Sequence, residues 1–307
     1  MGSIEKLTLY SLILLLIWGN MVSGLGHGLA CPDWPLCFGQ FFPEINFPIF
    51  MEHGHRVLGL IVSVFFFFLA KDRLRKYVGK QKILPFFAGF LLLIQIVLGG
   101  LVVIFQLETN LTTFHFSNAI AIFLLIYTMC KYPSSDSLKA AKFFTLKSSK
   151  YIFFFVIIYI QLILGAYVRH SNAGLACPDF PTCLGFWLPP YLSKTVFLHL
   201  MHRVWGFVIL FYAVFLLLYT YKSKIYDQFK RVRNLLLLIL VQIALGIYVV
   251  VSKLAFSMTA IHLFVALMII MIALDAIFAI SFVNIPVPEP SSRILSSLFI
   301  LSLRICK

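Results

Sequence analysis

The dipeptide His55-Arg56 returns as His202-Arg203, 147 residues later, and each copy stands near the start of a long apolar run. The same offset carries Gln95 onto Gln242, Gly99 onto Gly246 and His115 onto His262. A fixed period of this kind marks a tandem duplication. Each copy must place two histidines among apolar residues, and few folds allow that.

Composition says which solvent those residues meet. The chain of 307 residues is 61% hydrophobic and 12% charged, with a mean hydropathy of +0.98. A soluble domain of this size has no use for so much apolar surface, so a polytopic membrane protein is expected. Soluble enzymes, nucleic-acid binders and disordered chains are poor fits. Eight apolar runs, near 7–25, 54–70, 83–105, 111–130, 151–170, 195–221, 234–252 and 257–282, approach the roughly 20 helical residues that span a bilayer. Backbone groups in lipid must bond within their own segment, so each run is read as a helix. The first run resembles a signal peptide. It leads straight into a loop repeated later, so it is expected to be kept as a helix.

Charge orients these helices. The segments 71–82, 131–150 and 222–233 hold sixteen of the 25 Lys and Arg residues. The positive-inside rule puts these loops and both termini in the cytoplasm. The net charge of +14 is then a topological signal, and nucleic acid is not an expected partner. Four helices per copy give both copies the same orientation, related by a pseudo-twofold along the membrane normal. The expected fold is an all-α integral membrane protein: eight transmembrane helices in two tandem four-helix bundles. Its halves are 1–132 and 133–283. A tail, 284–307, follows the helix-breaking Pro286, Pro288 and Pro290 and is expected to be cytoplasmic or interfacial.

Ionisable residues inside membrane helices are costly and tend to be functional. His55 and His115, and likewise His202 and His262, fall near the outer ends of their helices. Each pair can face across a bundle and ligate a haem iron. Hydrogen bonding between helices is the plainer alternative. Arg56 and Arg203 suit the two carboxylates of a haem, or could snorkel at the interface. Glu52 lies one turn before His55, where the second copy has His199. Copies with one task should match there, so the acid marks the first half as catalytic and the second as an electron carrier. A solvated acid at the helix mouth is the alternative.

Two outer loops also repeat, as Cys31-Pro32-Asp33-Trp34-Pro35-Leu36-Cys37 and Cys177-Pro178-Asp179-Phe180-Pro181-Thr182-Cys183. An outer compartment allows disulfides, and the prolines keep each loop tight. Zinc is less well supported, because companion ligands are not obvious. For Cys31 and Cys37, redox participation and a purely structural bridge stand level; for Cys177 and Cys183 a structural bridge is favoured. Cys130 and Cys306 are expected to be free, and His27 and His53 to be loop residues.

Together, Glu52-x-x-His55-Arg56, His115, the Cys-Pro-Asp-x-Pro-x-Cys loops, Gly165-Ala166-Tyr167-Val168-Arg169-His170, His202-Arg203 and His262 resemble the haem A synthase family (CtaA/Cox15) over about residues 7–282. The resemblance implies oxidation of the C8 methyl of haem O to a formyl group by two hydroxylations. The product is haem A, for terminal oxidases. It implies haem O held by His55 and His115 with Glu52 nearby, and haem b held by His202 and His262. It implies that the first-loop cysteines matter more than the second pair. Haem O, an electron donor that the sequence does not name, the haem O synthase (a protoporphyrin farnesyltransferase) and a second copy of the chain are the partners it brings into view. The expected location is a cytoplasmic membrane, with the cysteine loops outside. One departure stands out: Ser23 and Gly24 occupy the places of Arg169 and His170. A non-catalytic dihaem b cytochrome is the second reading, and a transporter the third.

Overall fold

The computed structural model describes residues 1–139 and 148–281; the tail from 284 and the middle of the 131–150 loop lie outside the described residues. The described residues form helices and no strand. They are α1 (Ser3–Gly24), α2 (Phe47–Lys76), α3 (Ile83–Ile104), α4 (Thr109–Lys131), a short α5 (Ser135–Lys139), α6 (Ser149–His170), α7 (Lys194–Lys222), α8 (Tyr226–Val251) and α9 (Phe256–Ser281).

Seven of the helices among the described residues are long and apolar enough to cross a membrane; α2 is the long helix outside that set. Its first three turns hold Glu52, His53, His55 and Arg56, and its last turns hold Lys71, Asp72, Arg73, Arg75 and Lys76. The charge-free stretch between Arg56 and Lys71 is shorter than the roughly 20 residues a bilayer asks for.

α2 also begins earlier than its apolar run predicts. Asn46 caps it, its side chain accepting the Ile49 N–H at 3.0 Å, and Pro48 suits the first turn. His53, expected in a loop, therefore sits in the second turn of α2. Ser193 caps α7 in the same way, through the Val196 N–H. Local capping chemistry overrides hydropathy at the start of α2, whereas α7 begins within one residue of its apolar run.

α1 packs on α2 and α4, and α3 on α2 and α4; α6, α7, α8 and α9 show the matching set of contacts. α1 also meets α9, and α4 meets α6. These central contacts explain why α4 and α9 carry long buried runs, such as Ile120–Cys130 and Leu267–Phe278, while α3 and α8 keep most of their surface open. Polar clamps sit at one end. Fully buried Arg73 donates to Glu5 at 2.5 Å and to the Met129 carbonyl at 2.8 Å, tying α2 to α1 and α4. Buried Asp275 of α9 accepts the Tyr127 hydroxyl at 2.8 Å and pairs with Lys131 of α4.

Candidate functional site

The four predicted histidines lie at the ends of helices opposite these clamps, and all four line one cavity of about 1520 Å³. The volume exceeds the usual range of roughly 300–1,000 Å³ for one small-molecule site. Glu52, Arg56, His199 and Arg203 share the lining, so every candidate ligand and the asymmetric acid border one space.

Each imidazole leans on a glycine of a neighbouring helix. A Cβ on Gly19 of α1 would stand 2.8 Å from His55 Cε1, and one on Gly165 of α6 would stand 2.9 Å from His202 Cε1. Gly99 of α3 lies against His115 and Gly246 of α8 against His262, at 3.4 and 3.3 Å. Glycine is required at Gly19 and Gly165 because any side chain would displace a ring. Gln95 and Gln242 bond His115 and His262, Nε2 to Nε2, at 3.1 Å each. Asn118 donates to the Gln95 oxygen at 2.8 Å; its counterpart in the second copy is Val265, and Gln242 Oε1 is left without a partner. The Nδ1 atoms of His55, His115, His202 and His262 are all buried with no hydrogen-bond partner. Gln95, oriented by Asn118, donates to His115 Nε2, so the proton of that ring is on Nδ1 and the lone pair a metal could take is on Nε2. Four imidazoles border the cavity. This donor set, in an apolar cavity, fits a haem.

Glu52 is 4% exposed. Its Oε2 accepts the Cys31 backbone N–H at 2.8 Å, and its Oε1 accepts Arg56 Nη2 at 2.5 Å. In the second copy His199 Nδ1 lies 3.0 Å from the Ala173 carbonyl and 3.4 Å from the Cys177 N–H. The shorter contact makes the ring a donor there. One copy thus presents a carboxylate to its loop, and the other an imidazole.

The arginines have a task that the sequence did not announce. Arg56 Nη1 donates to the carbonyls of Asp33 and Leu36, at 2.7 and 2.5 Å. Arg203 Nη1 donates to those of Asp179 and Thr182, both at 2.9 Å, and its Nη2 to that of Cys177 at 2.6 Å. Expected to reach haem carboxylates, both guanidiniums are clamps on the cysteine loops as well as cavity wall. Arg169 borders the cavity too, its Nη2 lying 2.8 Å from where a Gly24 Cβ would be. The departure at Ser23-Gly24 therefore leaves room for an arginine of the second copy.

Both loops close as disulfides, Cys31–Cys37 and Cys177–Cys183, and Cys130 is free and buried. Asp33 accepts the N–H groups of Phe38 and Gly39 at 2.7 and 2.8 Å; Asp179 accepts those of Leu184 and Gly185 at 2.6 and 3.0 Å and the Thr182 hydroxyl. The Gly39 N–H, opposed by desolvation and helped by that of Phe38, holds the Asp33 carboxyl below its ordinary value. Asp179 is held down to about 2, first by Thr182 and then by Gly185. Gly39 and Gly185 have φ of 71° and 82°, the left-handed region that glycine enters without strain.

The model of the COX15-CtaA family, described as cytochrome oxidase assembly protein, matches residues 5–274. The chain belongs to the COX15-CtaA family. Among its curated relatives, a heme A synthase of Alkalihalophilus pseudofirmus is 30% identical, covering 84% of this chain and 92% of its own length. Those of Halalkalibacterium halodurans (30%, covering 85% and 88%) and Bacillus licheniformis (29%, covering 84% and 88%) are similar.

Membership gives the histidine pairs, the acid and the loops one setting. Sequence reasoning missed the glycines facing the histidines, the role of the two glutamines and the Asn118 link. Gln95, Gly99, Gln242 and Gly246 stand in the sequence as repeat markers, the glycines as points of close helix approach. Their constant spacing from a histidine at the same offset was the available signal.

Proposed function

We propose that this protein is a haem A synthase that oxidises the C8 methyl of haem O to a formyl group, giving haem A for cytochrome oxidase assembly. The heme A synthase relatives and the COX15-CtaA match support the activity. Haem O is the substrate, held by His55 and His115 in the first half. Bound between His202 and His262, a haem b would supply one-electron carriage.

The observation that carries the assignment of halves is Glu52 set against His199. A buried carboxylate on the cavity wall can take up a proton as the methyl is oxidised, or steady positive charge developing there. The Cys31 N–H and Arg56 fix where it points. Gln95 and Asn118 hold the His115 ring. The two hydroxylations yield a geminal diol, which loses water to the aldehyde, and an apolar cavity favours that loss.

In this reading the architecture is eight membrane helices in two bundles, 1–132 and 133–283, with a pseudo-twofold along the membrane normal. Both termini lie in the cytoplasm and both cysteine loops outside, in a cytoplasmic membrane. The paired loop clamps of Arg56 and Arg203 and the matched helix contacts support it. The basic loops support the orientation.

Coexpression with a haem O synthase, in a host that makes no haem A, tests the function. Extracted haems are separated by chromatography, with Glu52→Ala alongside. Haem A or its hydroxylated precursor in the wild type, and neither in the variant, is the expected result. Haems b and O alone in a well-loaded wild type would favour the dihaem electron carrier.

A further inference from the structure

His53 has no part in the haem reading, yet from α2 it bonds to the first cysteine loop. A ring nitrogen of His53 and the Sγ atoms of Cys31 and Cys37 all lie within 4.8 Å of one another. His53 Nε2 lies 3.0 Å from the Phe41 carbonyl, an acceptor only, so Nε2 carries the proton and donates. The lone pair is left on Nδ1, which is buried and has no partner. A ring with one nitrogen fixed by a carbonyl and the other free has the arrangement of a metal-ligating histidine. The second loop is an internal contrast. Leu200 takes the place of His53 there and packs on the Cys177–Cys183 bridge.

We propose that reduction of Cys31–Cys37 converts this corner into a three-coordinate site for a soft monovalent cation of the Cu(I) type, bound by Cys31 Sγ, Cys37 Sγ and His53 Nδ1. Two thiolates and one imidazole select soft cations. Three protein donors complete a trigonal Cu(I) site, whereas zinc would need water or another group as its fourth ligand. The balance is simple. A dithiol gives the disulfide two electrons and two protons, becoming a disulfide itself. The two cysteine thiols then release their protons as the cation binds. Reoxidation by a second disulfide, which takes the two electrons and two protons to become a dithiol, re-forms the S–S bond and expels the cation. Cys31 is also held by Glu52 through its N–H and lies near Arg56 through its carbonyl. The site therefore adjoins the cavity wall.

The full-length protein, reduced with a phosphine under argon and freed of excess reductant, is titrated against the coloured Cu(I)–bicinchoninate complex. One Cu(I) per chain should leave the dye for the reduced protein, and none for the oxidised protein. Cys31→Ser with Cys37→Ser should abolish the transfer, and His53→Leu should weaken it at least about tenfold. His53→Leu installs the residue that α7 carries at the matching place, Leu200. Cys177→Ser with Cys183→Ser should leave the transfer unchanged. X-ray absorption of the copper-loaded wild type should show two sulfurs and one nitrogen. Wild-type transfer no greater than that of the Cys31/Cys37 variant, unaltered affinity in His53→Leu, or a shell of sulfur alone would overturn the proposal.

Discussion

Glu52 holds the backbone of Cys31: its Oε2 accepts the Cys31 N–H at 2.8 Å, from 21 residues further along the chain. The carboxylate proposed to mark the first half as catalytic is thus also the strut of the first cysteine loop. Chemistry and loop geometry share one side chain, and substitutions can separate them.

Glu52→Ala removes both jobs. It leaves a buried N–H and the Arg56 guanidinium, 14% exposed, without their acid. We expect a loss of about 3 kcal/mol, in line with breaking a buried pair. Glu52→Gln keeps a neutral acceptor and should cost about 1 kcal/mol. Both should make no haem A. Denaturant titration in detergent, beside haem chromatography, checks this; a Gln variant that retains synthesis would remove the proton-accepting role.

The histidine–glycine contacts predict a graded result. On the proposed assignment of haem b to His202 and His262 and of haem O to His55 and His115, Gly165→Ala places a methyl 2.9 Å from His202 and should cut haem b occupancy severalfold. Gly19→Ala, at 2.8 Å from His55, should do so only for the haem O site. Gly99→Ala and Gly246→Ala, at 3.4 and 3.3 Å, should be milder. Haem-to-protein ratios and visible spectra of the four variants measure it, and equal effects at all four would contradict it.

Acidification should loosen the second loop. The Asp179 carboxyl is lowered from 3.8 to about 2 when folded, through the Thr182 hydroxyl and the Gly185 N–H. A depressed acid adds stability above its unfolded value and loses it as pH falls through the folded one. The loop should therefore hold above about pH 4 and open progressively down to about pH 2. Amide exchange at Leu184 and Gly185, corrected for its intrinsic pH dependence, should rise over that window. In Asp179→Ala it should already be high at pH 6.

The Asp275–Lys131 pair joins α9 to α4, where the repeat counterparts are Thr128 and Phe278. Asp275→Leu leaves Lys131 near an apolar core with no acid and should cost about 3–5 kcal/mol. Adding Lys131→Leu should recover most of that loss. A double-mutant cycle in denaturant reads the coupling; additive losses would mean the pair holds nothing together.

Much of this was legible in the chain alone. Apolar runs separated by basic loops determined the helices, because lipid forces backbone groups to bond within their own segment. The 147-residue period picked out His55, His115, His202 and His262, and Glu52 against His199 picked out the unequal position. Cys31, Cys37, Cys177 and Cys183 were legible as pairs, since five intervening residues with two prolines keep each loop tight and bring two sulfurs together. Other features needed the third dimension. That Arg56 and Arg203 grip loop carbonyls, that Asn118 steadies Gln95, that Gly24 makes room for Arg169, and that His53 lies beside a disulfide are contacts between distant residues. Hydropathy and period report the neighbours along one helix. Which partner a buried polar atom finds depends on how the helices pack, and only the folded chain decides that.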